Sequence, residues 1–535
     1  MKKHLFLLIS IVCVLSSCRH KEEVDLILHN AKIYTVNNSF AVMQSAAIKD
    51  GKFVAVSSDA TISTRYTSDS ILDLKGKFVY PGFIDSHAHF INYAISLSYA
   101  DMLNANELSD VIHTLTSYKQ ANPNKWIIAK NLDTSLLNNN TLLNELFPDT
   151  PVFIWSSECS SAIVNNAFAQ YVDLKENVNG LIVGEELKKA SKQLPKPSQI
   201  ELVELLQKAE KECFAVGITS TSDFESSLND IKIIDSLHKT NCLQIPIYMS
   251  IEPTTENIDA YISKIPYYTD KLKVLSVAID IDGRALQQEA LMLQPYKTGG
   301  NGIQNVTADS LYTLCQMAYD NGFQVCADCQ GDSAARLVLN TYAKILPNKN
   351  DMRWRIENTN IMARAEMRKL SHYNVIPSVS PLICNQKRTQ FAELFDKKQK
   401  KDIFAWKQII AQDQGILCNS NAPYGDMNPT AIYYAAMRQE RQKQQNIQSQ
   451  EMSPIQALKA MTIWPAYAQF DEKQKGSIEV GKWADFIVLP DNITTMYKPN
   501  LPNVKVEKTY LRGKKVYENQ HKEKKEKLNR NTNSI

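Results

Sequence analysis

Three things are scarce in this chain of 535 residues, and each scarcity narrows what it can be. A surplus of charge is missing: 60 lysines and arginines meet 57 aspartates and glutamates, leaving a formal net charge of +3. Basic residues are scattered except at the C-terminus, so no electrostatic footprint for nucleic acid exists. A bilayer-spanning run is also missing, because LFLLISIVCVL at residues 5–15 is well short of the ~20 apolar residues a spanning helix needs. Cysteine is the third: ten in a chain of this size are too few for a disulfide framework. Apart from Cys13 and Cys18 they fall in expected strands or helices, where a buried thiol is the usual state.

The short apolar run has its own meaning. Lys2 and Lys3 precede it and Ser16-Ser17-Cys18 follow at once, the three-part order of a secretory signal peptide. LSSC resembles a bacterial lipobox. That resemblance implies cleavage before Cys18, acylation of its thiol, and a mature lipoprotein anchored to a membrane of the bacterial cell envelope, facing the periplasm or the cell surface.

Residues 24–80 read as short alternating strands punctuated by the turn pairs Asp50-Gly51 and Lys75-Gly76, and residues 471–519 read the same way. The two ends are therefore expected to fold together as one small, discontinuous, sandwich-like β-domain, with residues 81–470 inserted between them. That middle alternates strands with helices. Candidate strands at 82–89, 217–223, 245–251, 274–282, 323–328, 353–358, 375–380 and 415–421 supply the eight of an α/β, (β/α)8 TIM-type barrel. Residues 91–210 form a long insertion after the first strand, where insertions commonly cover an active site. Residues 520–535 lack apolar periodicity and are expected to be disordered.

The stretch PGFIDSHAHF (81–90) places His87 and His89 two apart. In a strand, that spacing directs both imidazoles to one face. Zinc takes three or four protein ligands, so two histidines alone make no site.

Taken with the discontinuous β-domain and GSIEVGKWADFIVL (476–489), the HxH stretch resembles the amidohydrolase superfamily, in the amidohydrolase-3 branch that includes N-substituted formamide deformylases. QGD (330–332), RWRIEN (353–358), NAPYGDMNP (421–429) and SPIQALKAMTIWPA (453–466) have counterparts there. The resemblance implies hydrolysis of non-peptide C–N bonds by one or two divalent metals at the barrel mouth. Their ligands would be the HxH pair, a lysine on the fourth strand, histidines on the fifth and sixth, and an aspartate on the eighth that also moves protons.

Set against that pattern, the chain departs at the site itself. The lysine position holds Ala278, Asp328 stands for the fifth-strand histidine, Asn358 for the sixth, and Asn421 for the eighth-strand aspartate. An alanine methyl cannot bridge metals, an amide is a poor transition-metal ligand, and Asn421 cannot accept a proton as a carboxylate does. Pocket-wall positions differ too, at Glu158-Cys159-Ser160-Ser161 and Ser380-Pro381-Leu382-Ile383.

Three readings stay open. One is a non-hydrolytic pseudoenzyme that keeps a small-molecule ligand in the barrel mouth. Another is a single-metal hydrolase in which His87, His89 and Asp328 hold one zinc or iron ion, with Asp280 on the same strand face as Ala278. The third is a thiol site drawing on Cys159, Cys326, Cys329, Cys384 and Cys418 near the expected strand ends, with Cys326 and Cys329 at metal-ligand spacing. His87 paired with Asp328, without metal, would account for the histidines equally well. The cofactor expectation is thus one zinc or iron ion or none, the partners are a small molecule and a membrane, and the resemblance also admits a homodimer.

Overall fold

The structure, a computed structural model, describes residues 21–157, 159–174, 179–396, 399–412, 415–438, 450–496 and 498–519. Cys18 and its signal segment, Glu158 and the 520–535 tail lie outside the described residues. None of the described helices is long and apolar enough to cross a membrane.

Each of the eight expected windows overlaps a strand of one sheet. The strands are β1 (Phe83–Ile84), β2 (Ile218–Ser226), β3 (Ile247–Ile251), β4 (Leu272–Asp280), β5 (Gln324–Asp328), β6 (Arg355–Glu357), β7 (Ile376–Val379) and β8 (Leu417–Cys418). They follow one another in order around the sheet, and the paired neighbours from β2 to β8 run parallel. Parallel strands covered on both faces read as apolar runs, as β3 does with every residue buried. The chain just beyond β1 and β8 is joined at the mouth: Asn421 N–H donates to the His87 carbonyl at 3.0 Å, and His89 N–H to that of Ala422 at 2.8 Å. This is a TIM-type barrel, in which helices such as Asp332–Ile345 bury a face at helical spacing (Ala335, Val338, Leu339, Tyr342).

The chain divides into two compact units. One takes residues up to Ile84, Phe214–Thr219 and residues from Pro454 onward; the other takes Asp85–Cys213 and Ser220–Ser453. In the first, Phe486–Leu489 runs antiparallel to Phe78–Pro81, pairing Ile487 with Tyr80, so the two ends of the chain share a six-stranded sheet. That sheet and a four-stranded one enclose a common core of Leu28, Ile48, Phe53, Val79 and Phe486, with Phe486 stacked on Tyr510 at 4.4 Å. Asp50 and Gly51 take φ of 50° and 74°, the left-handed pair a tight hairpin turn demands. In the second unit, the insertion carries its own five-stranded sheet, from Ala100–Asp101 to Leu181–Val183.

The motifs that carry the resemblance have structural work at the barrel rim. Asp282, just past β4, accepts N–H bonds from Gln330 (2.9 Å), Gly331 (2.9 Å) and Leu291 (2.8 Å), stapling three loop segments together. At Gly331 any Cβ would sit 2.2 Å from the Leu291 carbonyl oxygen, so only glycine fits. Removing the staple strands one buried and two partly buried donors. Asp282→Ala should therefore lower stability by about 3 kcal/mol or more, read as an earlier midpoint in urea denaturation; an unchanged midpoint would count against the staple.

Candidate functional site

Every site residue described next belongs to the second unit. β1 ends at Ile84, so His87 and His89 are not strand residues, contrary to the expectation from their spacing. The strand stops because Asp85 turns to β8: its carboxylate accepts Ser420 N–H at 3.1 Å and also the Ser420 hydroxyl. His89 then begins the helix Phe90–Ser96, which Asp223 caps by accepting Ile91 N–H at 2.9 Å. The two imidazoles still approach each other, at 5.7 Å between centroids and perpendicular.

The partner of His87 is Glu357, not Asp328 as the metal-free expectation had it. Nδ1 lies 3.1 Å from Oε2, with 1% and 0% of the two side chains exposed. Arg355, two residues back on the same face of β6, places Nε 2.6 Å from the other carboxylate oxygen and donates through a second nitrogen to the Ser86 carbonyl at 2.7 Å. Both contacts to Glu357 are close but poorly aligned as hydrogen bonds, so charge rather than direction holds this buried chain. Burial works against a charge on His87, yet the Glu357 carboxylate, with Asp328 behind it, outweighs burial and raises its pKa. Glu357 is held below the usual carboxylate range, burial being overcome by Arg355 and His87. His89 goes the other way: burial and the neighbouring His87 charge push it down to about 3. Its Nδ1 faces the Phe224 carbonyl at 3.2 Å, so the neutral ring carries its lone pair on Nε2.

Asp328 is occupied elsewhere. Asn358 Nδ2 donates to both of its oxygens, at 3.0 and 2.9 Å, while Ser380 donates to the Asn358 amide oxygen at 3.3 Å. Ala278 is buried against Phe224 and Cys326, and the Phe224 ring lies 4.4 Å from that of His87. An aromatic side chain thus fills the space beside this alanine. Asn421 contributes its backbone N–H to the mouth closure, and both Asn358 and Asn421 have φ of 54°. β4 and β5 pair Asp280 with Asp328; Asp280 keeps an exposed edge, accepts from Asn305 at 3.1 Å, and is raised to about 8 by burial and by the charges of Asp328, Glu225 and Asp282. A cavity of about 280 Å³ exists near Leu286, Lys297 and Glu393, but none of these strand-end residues lines it.

Do these residues fit a catalytic metal? His87 partly does, since Nδ1 toward a carboxylate with an unpartnered, buried Nε2 is how outer-shell groups orient a ligating imidazole. The remainder does not. A histidine paired as a cation has no lone pair to give, Asp328 is tied to an amide, and among the described residues no group of three or more His, Cys, Asp or Glu side chains is placed to hold a metal ion. His87 and His89 are brought together; Asp328 is not brought to them as a third ligand.

Comparison with known proteins follows from this geometry. The model of a family described as "Amidohydrolase family" matches residues 70–517. The chain belongs to the amidohydrolase family. The putative amidohydrolase YtcJ of Bacillus subtilis is 25% identical to this family member, over 92% of the chain and 99% of its own length. The N-substituted formamide deformylase of Arthrobacter pascens is 21% identical, covering 92% and 98%. Among solved structures, an uncharacterized metal-dependent hydrolase from Pyrococcus horikoshii OT3 superposes with a TM-score of 0.78 at 20% identity, over 89% of this chain and 99% of that one, a likeness of fold. These likenesses support the amidohydrolase framework of the barrel and its separate β-domain.

Sequence reading missed Phe224, Arg284 and Arg355. The strand window stopped at Asp223, one residue short of Phe224. Arg355 could have been found from its spacing of two to Glu357 on a strand covered on both faces, where opposite charges must pair.

The buried charges fix a pH dependence. His87, raised above its ordinary 6.5, contributes stability that is full below about 6.5 and is lost as pH climbs through its folded pKa. Glu357, lowered below its ordinary 4.5, contributes above about 4.5 and loses it as pH falls through its folded pKa. The triad is therefore most stabilising between about 4.5 and 6.5. Urea midpoints measured in chelator from pH 5.5 to 8.5 should decline with pH in the parent by more than in His87→Gln; equal slopes would refute the assignment.

Proposed function

We propose that this protein is a non-hydrolytic member of its family, a pseudoenzyme that binds a small molecule at the barrel mouth while a lipid on Cys18 anchors it in the bacterial envelope. One observation carries the reading: Asn358 holds both carboxylate oxygens of Asp328, so the carboxylate that would complete a histidine pair is already engaged. Asn421 offers no base in place of the family's aspartate, and loss of a general base alone costs about 10² to 10⁴-fold. The family's chemistry on non-peptide C–N bonds is the ancestry from which the pocket derives.

A single-metal hydrolase using His87, His89 and Asp328 is the second reading, favoured by the unpartnered Nε2 of His87. It requires Asp328 to leave Asn358 and His87 to lose its proton. The thiol reading has less support: Cys326 and Cys329 are fully buried, and burial raises both, Cys326 to about 12, far from a reactive thiolate.

Protein purified after growth with added zinc or iron should hold only trace metal and leave formamides, N-acyl amines, cyclic amides and esters intact. Stoichiometric metal that vanishes in His87→Ala, with a matching rate, would establish the second reading instead. Labelled palmitate should enter the full-length chain in a bacterial host and fail to enter Cys18→Ala; incorporation into both would remove the anchor assignment.

A further inference from the structure

Arg284 lies in the turn just after β4, half-buried. One of its terminal nitrogens donates to the Cys159 carbonyl at 2.6 Å, and its guanidinium sits over the Tyr424 ring, 5.0 Å from the centroid. Tyr424 in turn meets His89 edge-on at 5.3 Å. These contacts fix the cation at the mouth, beside the altered site, and among the described residues no carboxylate is paired with it. A half-buried guanidinium with one donor engaged, braced by an aromatic ring, presents its remaining donors in a fork that suits a carboxylate.

Crowded carboxyl groups also stand at the mouth: burial and mutual repulsion raise Asp280 to about 8 and Glu225 to about 7, so an amine bound there would favour their charged forms. Asp280 stands beside Asp328 in register, and Glu225, next to last in β2, has φ of 63° and lies near enough that its charge acts on Asp280. Asp280 and Glu225 keep exposed edges and form no ion pair at contact distance among the described residues, although the Lys188 charge acts on Asp280 and that of His87 on Glu225. Below them, buried His87 keeps an unpartnered Nε2 on the ring edge away from Glu357. A simple carboxylate on Arg284 would feel these like charges, and a simple amine would feel Arg284. A molecule carrying both groups satisfies both poles.

We propose that the mouth recognises a small zwitterion of the amino-acid class, its carboxylate on Arg284 against Tyr424 and its amine toward Asp280 and Glu225. This deepens the binding reading above and rests on it for the absence of turnover.

The test uses the full mature chain, with its metal content measured on the same sample. Glycine, β-alanine and γ-aminobutyrate are compared with acetate and methylamine by thermal shift and calorimetry at low salt. At least one zwitterion should raise the melting midpoint where acetate and methylamine, separately or together, do not. Its affinity should fall about tenfold or more in Arg284→Gln and less in Arg284→Lys. Should Arg284→Gln fail to fold, Asp280→Asn serves: it should weaken the zwitterion without weakening acetate. The proposal is overturned if no zwitterion binds, if binding survives Arg284→Gln or Asp280→Asn unaltered, or if acetate binds as well. Arg284-dependent binding by a metal-loaded, active protein would end the non-hydrolytic reading and leave this one standing. Metal-free, inactive protein without such binding would do the reverse.

Discussion

A carboxylate sealed away from water has to be neutralised by its neighbours, and Glu357 is such a group. Arg355 and His87 meet it inside the barrel, and the positions of the other mouth residues follow. His87 is held by one ring nitrogen and so presents the other inward; Phe224 packs on its face; Arg355 reaches past it to the Ser86 carbonyl. Removing a single member of such a chain leaves an uncompensated charge, typically a loss of 3 to 5 kcal/mol. That cost is enough to retain the HxH histidine on structural grounds alone, with or without a metal.

The substitutions around this chain share a direction. On the reading proposed above, the positions expected to supply metal donors or a proton acceptor hold an alanine, two asparagines and an aspartate that binds an asparagine. Each replacement finds a partner that needs no ion: Ala278 in Phe224 and Cys326, Asn358 in Asp328 and Ser380, Asn421 in the backbone of His87.

The fold was legible in the sequence because its cause is local. Buried parallel strands must be apolar, hairpin turns need left-handed residues, and both leave marks that a single sequence displays at β3 or at Asp50-Gly51. Family membership was legible from the ordered motifs, several of which fill positions with no alternative, such as Gly331 under the Leu291 carbonyl. Pairing was harder. Spacing suggested that His87 and His89 lie in a strand, but the Asp85 contact with Ser420 draws the chain out of the sheet after Ile84. That His87 would choose Glu357 over Asp328 depended on Asn358, whose amide claims Asp328 from a neighbouring strand end, a contact that composition and periodicity do not encode.

Asn358 and Asn421 share a left-handed backbone, φ 54° at each. Few side chains tolerate that region; asparagine, aspartate and histidine do so best. Once selection for ion binding relaxes, the local torsion becomes the filter through which mutations pass, and it admits the very residue that mimics the old ones in shape while giving up their chemistry. Evolutionary decay at such corners would therefore look conservative, and asparagine at a left-handed strand terminus would be the expected fossil of a vanished ligand.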